Sequence, residues 1–299
     1  MGELQIGDQD ISDMTNPELL DWMQERKGGY KLHKKTAAIW LAIERSLDQQ
    51  GIPATVRGLF YQCENVYHVV EKTAAGYGRV QRQVLAMRRL GVLPYGFISD
   101  STRWMRLPQM YTGLEAAAEH WRKAYRKNHW DSQRDYVQVW CEKDAIAGIL
   151  NDITSEWGVP LLVVRGYPSE TFAFEAAEDI KRQSKPAYAY YFGDWDKHGV
   201  GISDDIKLKL GDFGANVQFE RVTVEPWQIE KWGLPTRPTK DPDWAEYVEV
   251  DAVPTNKLRE LVKDSIVQHI DKDAYDKALR VEELERETLN TVMHNSGLV

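Results

Sequence analysis

The stretch Ala187-Tyr188-Ala189-Tyr190-Tyr191-Phe192-Gly193-Asp194-Trp195-Asp196-Lys197-His198-Gly199 passes in one step from six apolar or aromatic residues to an acidic loop framed by glycines. Six residues of that kind are too few for a helix, and their aromatic content suits a strand buried on both faces. Tyr136-Val137-Gln138-Val139-Trp140-Cys141 has the same form, with Glu142-Lys143 directly after it. Pro160–Val164 and Val217–Val224 read as two more strands. Helical patterns fill the gaps at Asp144–Trp157, Ser169–Lys185 and about Val200–Leu210. Strands alternating with helices predict an α/β fold with a Rossmann-like parallel sheet covered on both faces. In such sheets ligands meet the carboxyl ends of the strands, where Glu142, Asp194 and Asp196 fall. The expectation is a sheet edge that gathers three carboxylates. Hard oxygen donors of this kind suit Mg²⁺, which keeps several waters and binds through one or two carboxylates.

The chain on the amino side is different. Asn16-Pro17 reads as an N-cap with proline in the first helical turn, and Gly28-Gly29 ends that short helix. Thr36–Gln50 places Ile39, Trp40, Ile43 and Leu47 on one helical face. A second helix is predicted from Thr55 to about Tyr67 and an arginine-rich third from Gly78 to Leu90. Short extended pieces follow at Val92-Leu93 and Phe97-Ile98, with a linking helix at Thr112–Asn128. Three helices and then a small hairpin is the order of a winged helix-turn-helix. After Pro226 a proline-rich connector leads to two helices, Thr255–Ile270 and roughly Asp273–His294. The organisation expected is an N-terminal arm with a short helix (1–27), a winged-helix domain (28–130), and a sheet domain with a C-terminal helical extension (131–299).

Charge divides along the same lines. The chain of 299 residues carries a net −8, but residues 28–130 hold 16 basic and 7 acidic residues, a net of +9. The flanking blocks carry −5 and −12. A basic block between acidic ones suits a polyanion-binding domain joined to a metal-binding one. Arg79, Arg82, Arg88 and Arg89 on the third helix, with Arg103 and Arg106 beyond it, are the expected phosphate contacts. Cys63 and Cys141 form no CxxC and read as buried free thiols of a reducing compartment. No run reaches the ~20 apolar residues of a membrane span, and the acidic N-terminus is unlike a signal or transit peptide. A cytoplasmic, nucleoid-associated protein is expected.

A glutamate after the first strand and D-x-D after the third resembles the TOPRIM fold of topoisomerases, primases and some nucleases. Within it, Gly166-Tyr167-Pro168 and Asp194-Trp195-Asp196-Lys197-His198-Gly199 are similar to the A subunits of type IIB topoisomerases (topoisomerase VI) and the related meiotic break-forming transesterase. Those families show G-Y-P-D and D-x-D-P-Y-G; Ser169, Lys197 and His198 depart from the pattern. The resemblance runs from about Thr36 to Ile270 and is nearest to short, stand-alone A-subunit homologues, which also share a segment like Val248–Ala252. It implies that Asp194 and Asp196 hold Mg²⁺, that Glu142 binds metal or acts as general acid/base, and that Lys143 touches phosphate.

The same resemblance implies a nucleophile on the basic domain. Thr55-Val56-Arg57-Gly58-Leu59-Phe60-Tyr61 matches T-x-R-[DE]-hydrophobic-[YF]-Y, with Gly58 in place of the acid and Tyr61 at the nucleophilic position. On a helix of about 100° per residue, Val56, Leu59, Phe60, Cys63 and Tyr67 cluster within roughly 60°. Tyr61 is then expected about 140° off that face and Arg57 about 100° off it. A guanidinium beside a phenol favours the phenolate and holds a phosphate oxygen. The implied chemistry is attack by Tyr61 of one protomer beside the metal site of another, forming a 5′-phosphotyrosyl link, so double-stranded DNA and a second copy are the implied partners. No G-x-x-x-x-G-K-[ST] motif is present, so strand passage implies a separate ATPase or a recombination partner. Two other readings stay open: a metal-dependent nuclease that uses water, with Tyr61 incidental, and a noncatalytic DNA-binding accessory protein.

Overall fold

A computed structural model describes residues 5–6, 9–10, 14–26, 32–99, 108–241 and 244–297. A two-stranded ladder, β1 (Gln5–Ile6) and β2 (Gln9–Asp10), precedes four helices: α1 (Asn16–Arg26), α2 (Lys34–Gln50), α3 (Val56–Asn65) and α4 (Ala74–Arg89). The caps explain where two of them begin. Thr55 accepts a hydrogen bond from the Gly58 amide at 2.9 Å to open α3, and Thr73 accepts from Gly76 at 3.0 Å to open α4. Threonine oxygens satisfy amides that lack helical partners, so α4 starts four residues before the predicted Gly78. Trp40 on α2 donates its indole N–H to Gln83 of α4 at 2.8 Å, tying those two helices together.

The extended pieces expected after α4 are not strands. Among the described residues Tyr95–Phe97 is a single 3₁₀ turn, and Ile98 makes one parallel bridge to Ala54. The backbone of Val92 and Leu93 instead closes the end of α4, both amides donating to the Met87 carbonyl. Helix α5 (Leu114–Ala124) then leads to the sheet.

The predicted alternation is present. Strand β3 (Tyr136–Cys141), helix α6 (Asp144–Trp157), strand β4 (Leu161–Val163), helix α7 (Glu170–Gln183), strand β5 (Ala187–Phe192), helix α8 (Lys197–Asp212) and strand β6 (Val217–Thr223) follow in order. They form a four-stranded parallel sheet of order β4-β3-β5-β6. Helices α7 and α8 cover one face through Ala177, Ile180, Ile202 and Ile206 on Trp140 and Tyr191. Helices α6 and α10 (Thr255–Val267) cover the other, and that second core is continuous with the apolar faces of α1 to α4. Between them lie α9 (Pro226–Trp232) and the short pair β7 (Arg237–Pro238) and β8 (Glu246–Tyr247). The chain closes on α11 (Lys272–Asn295), held to the 3₁₀ turn His129–Ser132 by the buried His129–Glu282 contact of 2.6 Å. No helix among the described residues is long and apolar enough to cross a membrane.

Candidate active site at the carboxyl edge of the sheet

Parallel pairing of β3 with β5 sets Cys141 beside Phe192, so the residues that follow them emerge together. The Glu142 amide donates to the Phe192 carbonyl at 2.9 Å. In return the Glu142 carboxylate accepts from the Asp194 amide at 2.9 Å and from the Tyr191 hydroxyl at 3.1 Å. Gly199 permits this closeness: a β-carbon there would stand 2.3 Å from the Asp194 carbonyl oxygen. Arg221 on β6 braces the loop, donating to the carbonyls of Asp194 and, at 3.0 Å, Gly199.

Asp194 is only 6% exposed. One carboxylate oxygen accepts from the Val250 amide at 2.9 Å, and the other faces the Lys143 ammonium at 2.6 Å. Burial and the neighbouring Glu142 charge push its carboxyl up to about 7, against the pull of Lys143. Lys143 also lies 3.5 Å from Asp251 and 3.9 Å from Glu249. Burial disfavours its charge, but Asp194, Asp251 and Glu249 outweigh that and hold it as an ammonium. Glu249 in turn takes a two-pronged bond from Arg57, 2.6 Å on each oxygen. Burial alone would raise Glu249; Arg57 and Lys143 hold it below the usual carboxylate range. Asp251 is raised by burial, and its second oxygen is buried with no hydrogen-bond partner.

Glu249 and Asp251 are the site residues that sequence reasoning did not place. An antiparallel bridge between Trp195 and Val248 carries them to the loop after β5. Their signal is the acidic alternation Val248-Glu249-Val250-Asp251, but nothing in the pattern says which strand end it meets. A groove of about 480 Å³ runs from this cluster toward the helical half, with Arg57, Tyr77, Arg88 and Lys143 among its walls.

The other predicted residues divide. Asp196 lies beside the cluster but caps α8, accepting from the Gly199 amide at 2.6 Å. Lys143, expected to touch phosphate, is held among the carboxylates. Arg88 lines the groove and lies 4.3 Å over the Tyr95 ring. Arg79 pairs with Glu71, while Arg82 and Arg89 are exposed on α4. Arg103 and Arg106 lie outside the described residues.

Tyr61 corrects the helical-wheel expectation. It is 2% exposed rather than off the core. The wheel counted one apolar face, but α3 packs against α2 and α4 on one side and against the turn Val250–Ala252 on the other. The Arg237 guanidinium lies 5.4 Å over its ring. Burial, then Glu249, raise the phenol above its ordinary value; Arg237 and Arg57 pull it down and lose. Arg57 spends its fork on Glu249 and does not free a phenolate.

Among the described residues no group of three or more His, Cys, Asp and Glu side chains is arranged to hold a metal. Glu142 and Asp194 nevertheless offer two hard donors, and the orphaned Asp251 oxygen adds an unsatisfied acceptor beyond Lys143. These are oxygen donors of the type a hard divalent cation takes, with both Asp194 oxygens engaged here, one by the Val250 amide and the other by the Lys143 ammonium. Compared with known proteins, the chain matches no family model and no curated protein.

Proposed function

We propose that this protein cleaves DNA by magnesium-dependent transesterification, in the manner of a topoisomerase VI A subunit, with the sheet domain acting as a TOPRIM domain and the helical half as a DNA-binding domain. The observation that supports it most is the Glu142–Asp194 pair, joined by a hydrogen bond at adjacent strand ends, beside a groove that Arg57, Arg88, Lys143, Glu249 and Asp251 line. Glu142 and Asp194 would hold Mg²⁺, with Asp196 free to join once it leaves the α8 cap, and the cation would supply charge stabilisation to the phosphodiester. Arg88 binds backbone phosphate, joined by Lys143 and Arg57 once they leave Asp194 and Glu249. The Tyr61 oxygen attacks phosphorus, a phosphotyrosyl bond forms, and the 3′-oxygen of the neighbouring nucleotide leaves and takes up a proton. In this reading a second copy of the chain supplies the opposing site, and any strand passage needs a separate ATPase.

The burial of Tyr61 favours a second reading, hydrolysis by water at the same carboxylates. Transesterification requires α3 to part from the Arg237 and Val250–Ala252 side so that the phenol reaches DNA. End-labelled DNA, Mg²⁺ and protease treatment separate the two. Transesterification leaves protein on the cut end, and Tyr61→Phe abolishes cutting while DNA binding persists. Full cutting by Tyr61→Phe with no adduct establishes the hydrolytic route. No cutting by the parent protein under any divalent cation leaves only the accessory DNA-binding reading.

A further inference from the structure

A second cavity, of about 240 Å³, opens where α8 begins, with Asp196, Lys197, His198, Lys240, Trp244 and Tyr247 in its walls. Its aromatic side is firmly built. Trp244 packs on Trp195 with ring centres 4.9 Å apart. Trp195 is itself fixed by paired backbone hydrogen bonds to Val248 of 2.8 and 3.0 Å. The turn that carries Trp244 is closed by its amide on the Asp241 carbonyl at 3.2 Å and by Thr239 on the Ala245 carbonyl at 3.1 Å. Both indole and phenol are half-buried, so part of each stays open to a ligand.

The charges of the cavity select the ligand. Among the described residues its two carboxylates are engaged, Asp241 with Lys197 at 2.8 Å and Asp196 with the Gly199 amide at 2.6 Å. Lys240 and His198 are exposed. The walls therefore offer ring surface for stacking and, in Lys240 and His198, N–H groups that can donate to an anion. The volume lies below the ~300–1,000 Å³ of drug-sized sites and suits one ring system, not a base pair. Bases inside a duplex have their faces covered, so the ring admitted is an unstacked one.

We infer that this cavity binds a single unstacked nucleotide, its base against Trp244 and Tyr247 and its phosphate with Lys240 and His198. Asp196 lines the cavity two residues from Asp194. The strand-bound form of this inference rests on the DNA reading above; binding of a free nucleotide does not.

The test uses the full chain in EDTA and single-stranded oligonucleotides carrying 2-aminopurine, whose fluorescence falls on stacking. The expected result is saturable quenching that Trp244→Phe retains and Trp244→Ala removes, with affinity about tenfold weaker, as base–aromatic stacking predicts. Lys240→Ala, at an exposed position, should weaken binding and flatten its salt dependence. Competition by dAMP would show that free nucleotide enters the site; quenching that dAMP leaves untouched would assign it to strand nucleotides. Quenching and affinity unchanged in a natively folded Trp244→Ala, or no quenching by the parent with either probe, overturns the inference. Quenching by a parent that cuts no DNA with Mg²⁺ would sink the cleavage proposal and keep the pocket. Cutting without quenching would do the reverse.

Discussion

Two carboxyl groups in this molecule are buried to a similar degree and are treated very differently. Glu44, on α2 in the helical half, is fully buried, and neither of its oxygens has a hydrogen-bond partner. Burial, with Asp48 adding and Arg45 opposing, pushes it up to about 8. Asp194, at the sheet edge, is raised to about 7 by burial and Glu142, yet it has an amide on one oxygen and an ammonium on the other. An isolated buried charge is expensive, whereas one supplied with donors persists. Glu44 is therefore a neutral acid in the core. Asp194 is raised by burial and Glu142, while its ammonium and amide partners favour the charged form. The difference marks the sheet edge as the place where the fold supplies partners for a buried charge.

Substituting Glu44 should give the largest effect. Its folded-state value lies above its unfolded one, so its contribution to stability is intact below about pH 4.5 and is lost as pH rises through about 8. Glu44→Gln keeps the shape and removes the titration. It should be more stable than the parent at pH 9 by on the order of 4 kcal/mol, at ~1.4 kcal/mol for each tenfold difference in proton affinity between the folded and unfolded chain. At pH 5 the gain should shrink to under about 1 kcal/mol. Denaturant unfolding at the two pH values checks this, and an equal gain at both would mean that Glu44 is not the titrating group.

Lys143→Met attacks the other side of the comparison. It strips the buried carboxylates of their ammonium while leaving the aliphatic volume. The loss should be about 3 kcal/mol at pH 9, as for breaking a buried pair. Asp194 is also raised, so its ionisation costs stability as pH climbs from about 4 through 7, and Lys143 offsets that cost. The defect should shrink at pH 5, where Asp194 is protonated. A loss of the same size at both pH values would assign Lys143 a packing role.

A smaller effect should come from the cation itself. Mg²⁺ at about ten times its dissociation constant stabilises by roughly 1.4 kcal/mol, a rise in Tm of about 2–4 °C for a chain of this size. EDTA should reverse it and Asp194→Asn should abolish it, while Glu44→Gln should leave it in place. A Tm indifferent to Mg²⁺ in the parent would remove the metal assignment.

What the sequence discloses of this arrangement follows a physical line. Ala187–Phe192 and Tyr136–Cys141 are strands over their predicted ranges because six-residue apolar runs buried on both faces have few alternatives. Once β3 and β5 are neighbours in a parallel sheet, Glu142 and Asp194 emerge side by side. Asp196 is harder to read, since Asp196-x-x-Gly199 is equally a helix N-cap, which is how it is used here. Tyr61 escapes a single-helix pattern because such a pattern cannot know that Arg237 and the turn Val250–Ala252 return to cover its outer side. Glu249 and Asp251 are out of reach for the same reason: their place depends on one bridge between Trp195 and Val248. Glu44 is partly visible, standing four residues after Trp40 and three before Leu47, a spacing that helices bury.

The comparison predicts the least for charges that never leave water. Arg82 and Arg89 are exposed on α4, far in character from Lys143, and exposed side chains without special partners change stability by only about ±0.5 kcal/mol when replaced. Their double replacement by alanine should thus leave unfolding curves unchanged at both pH 5 and pH 9. Its effect should appear only with a polyanion. Every phosphate that is no longer neutralised flattens the slope of log K against log salt by about 0.9 on duplex DNA. The double variant should therefore bind every duplex sequence more weakly at low salt and converge with the parent as salt rises. Fluorescence anisotropy over a series of salt concentrations measures both quantities. If the slope is unchanged, the arginine face of α4 is merely solvated, and the groove walled by Arg57, Arg88 and Lys143 must carry DNA binding by itself.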